Sequence, residues 1–222
     1  MELLIHAGEP GASIPATKTL LECKWGAHAG DFAGISAFEC AAKSGGIHIA
    51  EDHFIEEVVD PETGDPVPMG ETGERITTAL GIGSLPIIRY RTHDLVRRVP
   101  AGECSCGRGF DLYWGGILGR TDDVRIVRGT NVHPSAVEGV VRRFEAIREF
   151  RIVLARAEMG DEITVELEPL PDLPEAEGRR LAERIADELA YAHEGLRFAT
   201  RPMQPNSLPT FELKARRLVD ER

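Results

Sequence analysis

Gly119-Arg120-Thr121-Asp122-Asp123-Val124-Arg125-Ile126-Val127-Arg128-Gly129-Thr130-Asn131-Val132-His133-Pro134 is the stretch at which the chain changes character. Beyond it the apolar runs lengthen. They read as a strand over Val124 to Val127, a helix over Ser135 to Phe144, and strands over Phe150 to Arg156 and Glu162 to Glu168. A helix over Glu175 to Tyr191 and a strand over Arg197 to Pro202 follow. That order predicts a compact α+β unit of about 100 residues. In its second helix Leu181, Ile185, Leu189 and Ala192 fall on one stripe while Glu183, Arg184, Asp187 and Glu188 face away, which is the pattern of a helix with one buried face.

Before Gly119 the texture differs. From Ile47 to Leu118 short β-like runs (Ile55 to Val59, Arg75 to Leu80, Pro86 to Tyr90) alternate with turn-rich stretches such as Asp60-Pro61-Glu62-Thr63-Gly64-Asp65-Pro66. Turns at that density predict a small barrel or antiparallel sheet. Ahead of it, Leu3-Leu4-Ile5, the helix formers of Pro15 to Trp25, and Ala27 to Phe32 read as strand, helix and strand, part of an α/β unit. The expected class is therefore α/β plus α+β. Residues 1–121 hold an α/β remnant (1–46) and a β-rich subdomain (47–121), and residues 122–222 form a compact α+β domain, with the boundary near Asp122.

Composition narrows the function. A formal charge of −11 disfavours a nucleic-acid partner, because phosphate binding needs a basic face. No run approaches the roughly 20 apolar residues needed to span a bilayer, and the first residues lack a basic region ahead of an apolar stretch, so a cytoplasmic protein without membrane contact is expected. Four cysteines are too few for a disulfide scaffold in 222 residues. Cys104-Ser105-Cys106-Gly107 lies in a predicted loop, with Cys40 and His48 upstream. Three thiols and one imidazole are a ligand set for closed structural zinc, although a C-x-C pair also arises by accident. Cys23, on the first helix, reads as a small buried apolar residue.

Three segments carry chemistry. Pro86-Ile87-Ile88-Arg89-Tyr90-Arg91-Thr92-His93-Asp94 ends a predicted strand in a polar cluster that presents a carboxylate. The second is the Gly119 to Pro134 stretch, followed by Glu138. The third is Ser207-Leu208-Pro209-Thr210-Phe211-Glu212-Leu213-Lys214-Ala215-Arg216-Arg217. In this order and spacing they resemble the adenylate-forming superfamily, and within it the C-terminal portion of the phenylacetate-CoA ligase family. The likeness runs from Gly8-Glu9-Pro10 to Asp220.

In such ligases a carboxylate attacks the α-phosphate of ATP, giving an acyl-adenylate and pyrophosphate, and the thiol of CoA then displaces AMP. The resemblance implies ATP or AMP, magnesium and CoA as cofactors and an aromatic carboxylate as substrate. It assigns Asp94 to the ribose hydroxyls, and Gly8, Glu9, Pro10 and Asp31 to the border of the adenine. Lys214 matches the lysine that bridges the attacking carboxylate and the phosphate, where a mobile point charge offsets the repulsion of two anions. Arg120 matches an arginine that approaches the nucleotide. Asp122 matches the hinge about which the C-terminal domain swings, although it also reads as a capping aspartate. Arg128 and Gly129 would lie on the CoA side. The resemblance also strengthens the zinc set Cys40, His48, Cys104 and Cys106.

Three departures count against ligation by this chain alone. The family's Ser/Thr/Gly-rich loop for the β- and γ-phosphates is expected far upstream and does not occur here. Ala37 stands where a magnesium-associated glutamate is expected, and Leu213 replaces the glycine before the lysine. The chain alone is therefore expected to be inactive in ATP-dependent ligation, and three readings stay open. It could work as one piece of an aryl-CoA ligase with a separate N-terminal half, as a repurposed non-adenylating ligand-binding module, or as a partner that associates through an apolar face at Leu3 to Ile5.

Overall fold

The computed structural model describes residues 2–8, 12, 14–34, 36–42, 45–81, 86–158, 160–211 and 215–222. The chain divides into two compact units, Met1–Asp122 and Asp123–Arg222. Among the described residues no helix is long and apolar enough to cross a membrane.

Unit 1 contains β1 (Leu3–Ala7), α1 (Pro15–Trp25), β2 (His28–Phe32), β3 (Ala37–Glu39), β4 (Gly46–Ile49), β5 (Phe54–Val59), β6 (Thr72–Ala79), β7 (Tyr90–Val99), β8 (Leu112–Trp114) and β9 (Gly119–Arg120). Among the described residues the strands form one hydrogen-bonded sheet in the order β1-β2-β3-β4-β8-β7-β6-β5, with β9 added to β7. β1 and β2 are parallel, joined through α1, and the remaining pairs are antiparallel. The sheet passes through residue 46 without a break, so the α/β strands and the β-rich region share one ladder. Gly73 lets β6 approach β5: a Cβ there would lie 2.5 Å from the Val59 carbonyl oxygen.

Helix α1 starts with Pro15 in its first turn and ends on Gly26, whose left-handed conformation (φ 60°) lets its N–H bond Glu22 O. It buries no residue. Cys23 is exposed, against expectation, because the apolar residues Leu20, Leu21 and Trp25 do not gather on one stripe with it. Leu3, Ile5 and Trp25 are exposed as well.

A second correction concerns the strand expected at Pro86 to Tyr90. The strand begins at Tyr90 and runs on to Val99, so Asp94 lies inside β7 and does not end a strand. Pro86 supplies no N–H for a ladder, which delays the strand's start.

Unit 2 contains β10 (Arg125–Val127), β11 (Thr130–Val132), α2 (Pro134–Val141), β12 (Ile147–Ala157), β13 (Gly160–Pro169), α3 (Glu175–Ala192), β14 (Ala199–Pro202) and β15 (Leu218–Asp220). Its main sheet has the order β14-β13-β12-β15, and β10 and β11 form a separate hairpin. Period-two alternation buries Phe150, Ile152 and Leu154 of β12 opposite Leu167, Val165 and Ile163 of β13. Val137, Val140 and Val141 of α2 and Ile185 and Leu189 of α3 pack into the same core. The α3 stripe runs through Gly178, Ala182, Ile185 and Leu189, and Ala192 is exposed where it had been expected to be buried. β11 and β15 were not anticipated, being three-residue strands that form only by pairing.

Candidate active site

Asp94 owes its placement to a bulge. Along β6 the step from Glu74 to Ile76 is matched on β7 by the step from Leu95 to Arg91, so β7 carries two extra residues there. His93 sits in the bulge with φ 64°, a conformation that L-residues adopt at a cost. The Asp94 N–H donates to Thr92 Oγ1 at 3.1 Å. The short strand β9 pairs with the bulged segment, bringing Arg120 opposite Asp94. Arg120 Nη1 lies 3.2 Å from Asp94 Oδ1, and Arg120 holds Asp122 with two bonds of 2.8 Å. The hydrogen bonds from Arg120 hold the Asp122 carboxyl below the usual aspartate range, against a smaller opposing effect of burial. Residues from two separated motifs thus meet at one partly exposed carboxylate, which keeps acceptor sites beyond the one Arg120 occupies.

Behind Asp94 lies a network with no counterpart in the expectations drawn from sequence. Arg75 is buried and grips Glu56 with two bonds, Nη2 to Oε1 at 2.6 Å and Nε to Oε2 at 2.9 Å. Tyr113 Oη donates to Glu56 Oε2 at 2.9 Å and Thr77 Oγ1 to Oε1 at 2.8 Å. Arg75 also bonds the Ser36 hydroxyl, and its Nη1 reaches 4.0 Å from Asp94 Oδ2. Burial disfavours the Arg75 charge, but its hydrogen bonds to Glu56, added to the negative charges of Glu56 and Asp94, outweigh this and raise its pKa. Burial, with the Glu56 charge beside it, pushes the Tyr113 hydroxyl up. The signal available in sequence was only a glutamate and an arginine on neighbouring strands, and strand register had to be known before they could be paired.

Asp31 is buried on β2, and its N–H donates to Glu39 Oε2 at 3.1 Å. Gly8 adopts φ 85° at the end of β1, while Glu9 and Pro10 lie outside the described residues. Ala37, at the position of the expected magnesium-associated glutamate, is buried in the core. Glu39 does not fit as its replacement, since its carboxylate is paired with Lys18 and with the Asp31 N–H.

Cys40, His48, Cys104 and Cys106 come together at the end of β3, on β4 and after the turn at Ala101–Glu103. Their ligand atoms all lie within 4.8 Å of one another. Cys40 Sγ is 3.5 Å from Cys104 Sγ, and Cys106 Sγ is 3.2 Å from His48 Nε2. Tetrahedral zinc with bonds of about 2.3 Å separates neighbouring sulfurs by about 3.8 Å, so the spacing fits that ion. His48 Nδ1 lies 3.0 Å from the Phe110 carbonyl oxygen, an arrangement that places the proton on Nδ1 and turns the Nε2 lone pair toward the thiols. The Arg108 N–H first, and neighbouring hydrogen bonds after it, bring the Cys106 thiol down to about 6 against the effect of burial, while burial raises that of Cys40.

In unit 2, Arg128 and Gly129 are the two central residues of the β10–β11 turn, with φ of 50° and 85°. Two positive φ values in a two-residue loop are the requirement of a type I′ hairpin turn. Arg128 Nε donates to the Asp161 carbonyl at 2.8 Å. Lys214 and Leu213 lie outside the described residues; of their neighbours in sequence, the Leu208 N–H donates to Glu168 at 2.9 Å, and Arg217 binds Glu149.

Residues 129–222 match the family described as the AMP-binding enzyme C-terminal domain. Over its whole length the fold is that of a 2-hydroxyisobutyryl-CoA ligase crystallised in the postadenylation state with R3-HIB-AMP, with a TM-score of 0.91 and 29% identity over 100% of this chain and 48% of that one. The fold is thus that of the C-terminal part of the adenylate-forming CoA ligases. Within that class, the chain is 31% identical over 230 aligned positions to the phenylacetate-coenzyme A ligase of Aromatoleum evansii, covering 98% of this chain and 51% of that protein. It is 43% identical over 131 residues to that of Thermus thermophilus, covering 59% and 29%. The chain belongs to the phenylacetate-CoA ligase family and corresponds to the C-terminal portion of its members. It spans about half the length of the relatives it matches most fully.

Proposed function

We propose that this chain is the C-terminal portion of an AMP-forming aryl-CoA ligase. In this reading Asp94 receives the ribose hydroxyls, Arg120 faces the nucleotide, and Lys214 joins the attacking carboxylate to the α-phosphate. Gly8, Glu9, Pro10 and Asp31 border the adenine, and Arg128 and Gly129 lie toward CoA. The observation that carries it is the bulge in β7, which holds Asp94 against Arg120 from the second motif. A bulge of this kind, with a residue at positive φ, is maintained where a side chain must be aimed.

The chemistry follows from charge. An acid carboxylate and a polyphosphate repel each other, and Lys214 lowers that repulsion in the transition state, with bond formation at the α-phosphorus and loss of pyrophosphate. The CoA sulfur then forms the thioester and AMP leaves. Asp122, bound to Arg120 and next to the division between the two units, suits a hinge. The Cys40, His48, Cys104 and Cys106 set would hold zinc, which supplies a fixed cross-link between strands and takes no part in a chemical step.

The second reading, a repurposed module that binds CoA or an aromatic ligand without adenylating, is favoured by Ala37 and by the engaged carboxylate of Glu39. One experiment separates them. With the N-terminal portion of the ligase supplied, aromatic acids should exchange pyrophosphate into ATP, and Lys214→Ala should reduce that exchange about a hundredfold. Thioester formation from preformed adenylate should change little. Equal rates in wild type and Lys214→Ala for both half-reactions would decide for the repurposed module.

A further inference from the structure

Glu74 on β6 is 1% exposed, and nothing in the reaction proposed above uses it. Successive residues of a strand point to opposite faces, so Glu74 and Arg75 work on opposite sides of the sheet. Arg75 lies on the side of Asp94, with its Nη1 4.0 Å from Oδ2. Glu74 takes hold of the same stretch of β7 from the other side. Both its oxygens accept Arg91 Nε at 3.2 Å, Oε2 also accepts Arg91 Nη2, and Oε1 lies 3.2 Å from His93 Nδ1. The bonds from Arg91 hold the Glu74 carboxyl below the usual glutamate range, against the effect of burial, so it is charged at neutral pH. A buried carboxylate is costly unless paired, and a strand that served only to join β5 to β7 would need none.

Arg91 and His93 bracket Thr92, at the point where β7 leaves its regular ladder with β6. Other polar groups of the bulge are met from elsewhere. Thr92 Oγ1 donates to the Arg75 carbonyl at 3.1 Å and accepts the Asp94 N–H. The Thr92 carbonyl receives Arg120 Nη1 at 3.2 Å, and the His93 carbonyl receives the Thr121 N–H at 2.8 Å. An unbroken ladder continued from the Glu74–Leu95 pair would set Asp94 directly opposite Arg75. There the guanidinium would take up the acceptor sites that the bulge leaves to a ligand.

We infer that Glu74 is a positioning residue for Asp94: by holding Arg91 and His93 it keeps the β7 bulge in place, and so aims the carboxylate toward β9 and away from Arg75. The inference rests on the role proposed above for Asp94, the binding of the ribose hydroxyls. Glu74 acts through the backbone of β7 and not by contact with the nucleotide.

The test uses the intact chain, on which the proposed adenine and ribose contacts lie. Arg91 and His93 are each about half exposed, so both can turn to water when Glu74 is replaced, leaving no buried charge behind. Amide exchange in peptides spanning 90–97 should quicken about tenfold in Glu74→Leu and about threefold in Glu74→Gln, which keeps an acceptor, while α3 stays within about twofold. Titrated with AMP and with 2′,3′-dideoxy-AMP, the wild-type chain should prefer AMP about tenfold, the worth of hydrogen bonds to a charged acceptor. Asp94→Ala and Glu74→Leu should both reduce that preference to about twofold or less, with Glu74→Gln in between. Adding His93→Gly to Glu74→Leu should restore part of the preference, since glycine takes the positive φ of this position without cost, and a general loss of packing would not be rescued in this way. Unchanged exchange in 90–97, or full preference for AMP in Glu74→Leu where Asp94→Ala has lost it, would overturn the inference. An Asp94→Ala chain with the wild-type preference would instead overturn the ribose reading, and this inference with it. If Glu74→Leu fails to fold, Glu74→Gln decides by the same two measurements.

Discussion

Units 1 and 2 hold their interiors together by different means. In unit 2, Phe150, Ile152, Leu154, Ile163, Val165 and Leu167 fill the space between sheet and helices with Val137, Val140, Ile185 and Leu189, and its buried charges Glu166 and Glu168 lie away from that cluster. Unit 1 has a smaller apolar cluster, with Ile47, Ile49, Val58 and Val96, and beside it an interior that is itself charged: Glu56, Arg75 and Tyr113 share it, and Cys40, Cys104 and Leu112 form a second small cluster. Apolar burial is non-directional and tolerates moderate repacking. A buried charge network has no such latitude, since each member is costly once a partner is lost. In unit 1, therefore, the groups that stabilise the fold also shape the site.

The largest break in that comparison should come at the thiol cluster. Chelator treatment, or Cys106→Ser, should lower the unfolding midpoint of unit 1 by about 10 °C or more if zinc links β3, β4 and the Cys104 turn. Trp25 and Trp114, both in unit 1, make fluorescence the natural probe. Elemental analysis should return about one zinc per chain, in line with a four-ligand site. Metal-free protein with an unshifted midpoint would make the four side chains an ordinary cluster of three thiols and an imidazole.

A smaller effect belongs to the charge network. Glu56→Gln leaves the buried Arg75 guanidinium without its full counter-charge and should destabilise unit 1 by about 3 to 5 kcal/mol in urea titration. The double change Glu56→Leu with Arg75→Met should restore most of it, because an apolar pair of similar volume needs no compensation. If both variants cost the same, the network acts by packing alone and the contrast between the units weakens.

The smallest effect sharpens the comparison from the side of unit 2. Burial disfavours the Glu149 charge, but bonds from Arg217 and the Phe150 N–H outweigh this and hold its pKa below the ordinary glutamate value of 4.5. A depressed carboxyl contributes stability that is fully present above its unfolded value and lost as pH falls through its folded value. Unit 2 should thus lose stability in that window below 4.5, and Glu149→Gln should remove that part of the pH dependence. Hydrogen exchange of α3 across the acid range would measure it. An identical acid profile in Glu149→Gln would show that other carboxylates carry the loss.

Where the structure departed from expectation, the cause was pairing over long separations. β11 and β15 are too short to announce themselves by alternation, and each exists because a neighbour supplies its hydrogen bonds. Asp94 was expected at the end of a strand, since the polar cluster Arg91 to Asp94 interrupts the apolar pattern, but the interruption is a bulge inside β7. Cys23 and Ala192 were expected to be buried on the strength of helical period alone, and both are exposed.

What sequence by itself determined was the content of the motifs and the order of the long elements. Local propensity places α3 and the alternating strands β12 and β13, and the residue types of the Asp94, Arg120 and Lys214 segments carry the family resemblance within a few positions of chain. Tertiary structure alone decided which distant groups meet. The Glu56–Arg75 pair, the β9 contact that sets Arg120 on Asp94, and the hold of Glu74 on Arg91 and His93 all depend on strand register. A shift of one residue in register would turn each side chain to the opposite face, and no local preference fixes that shift.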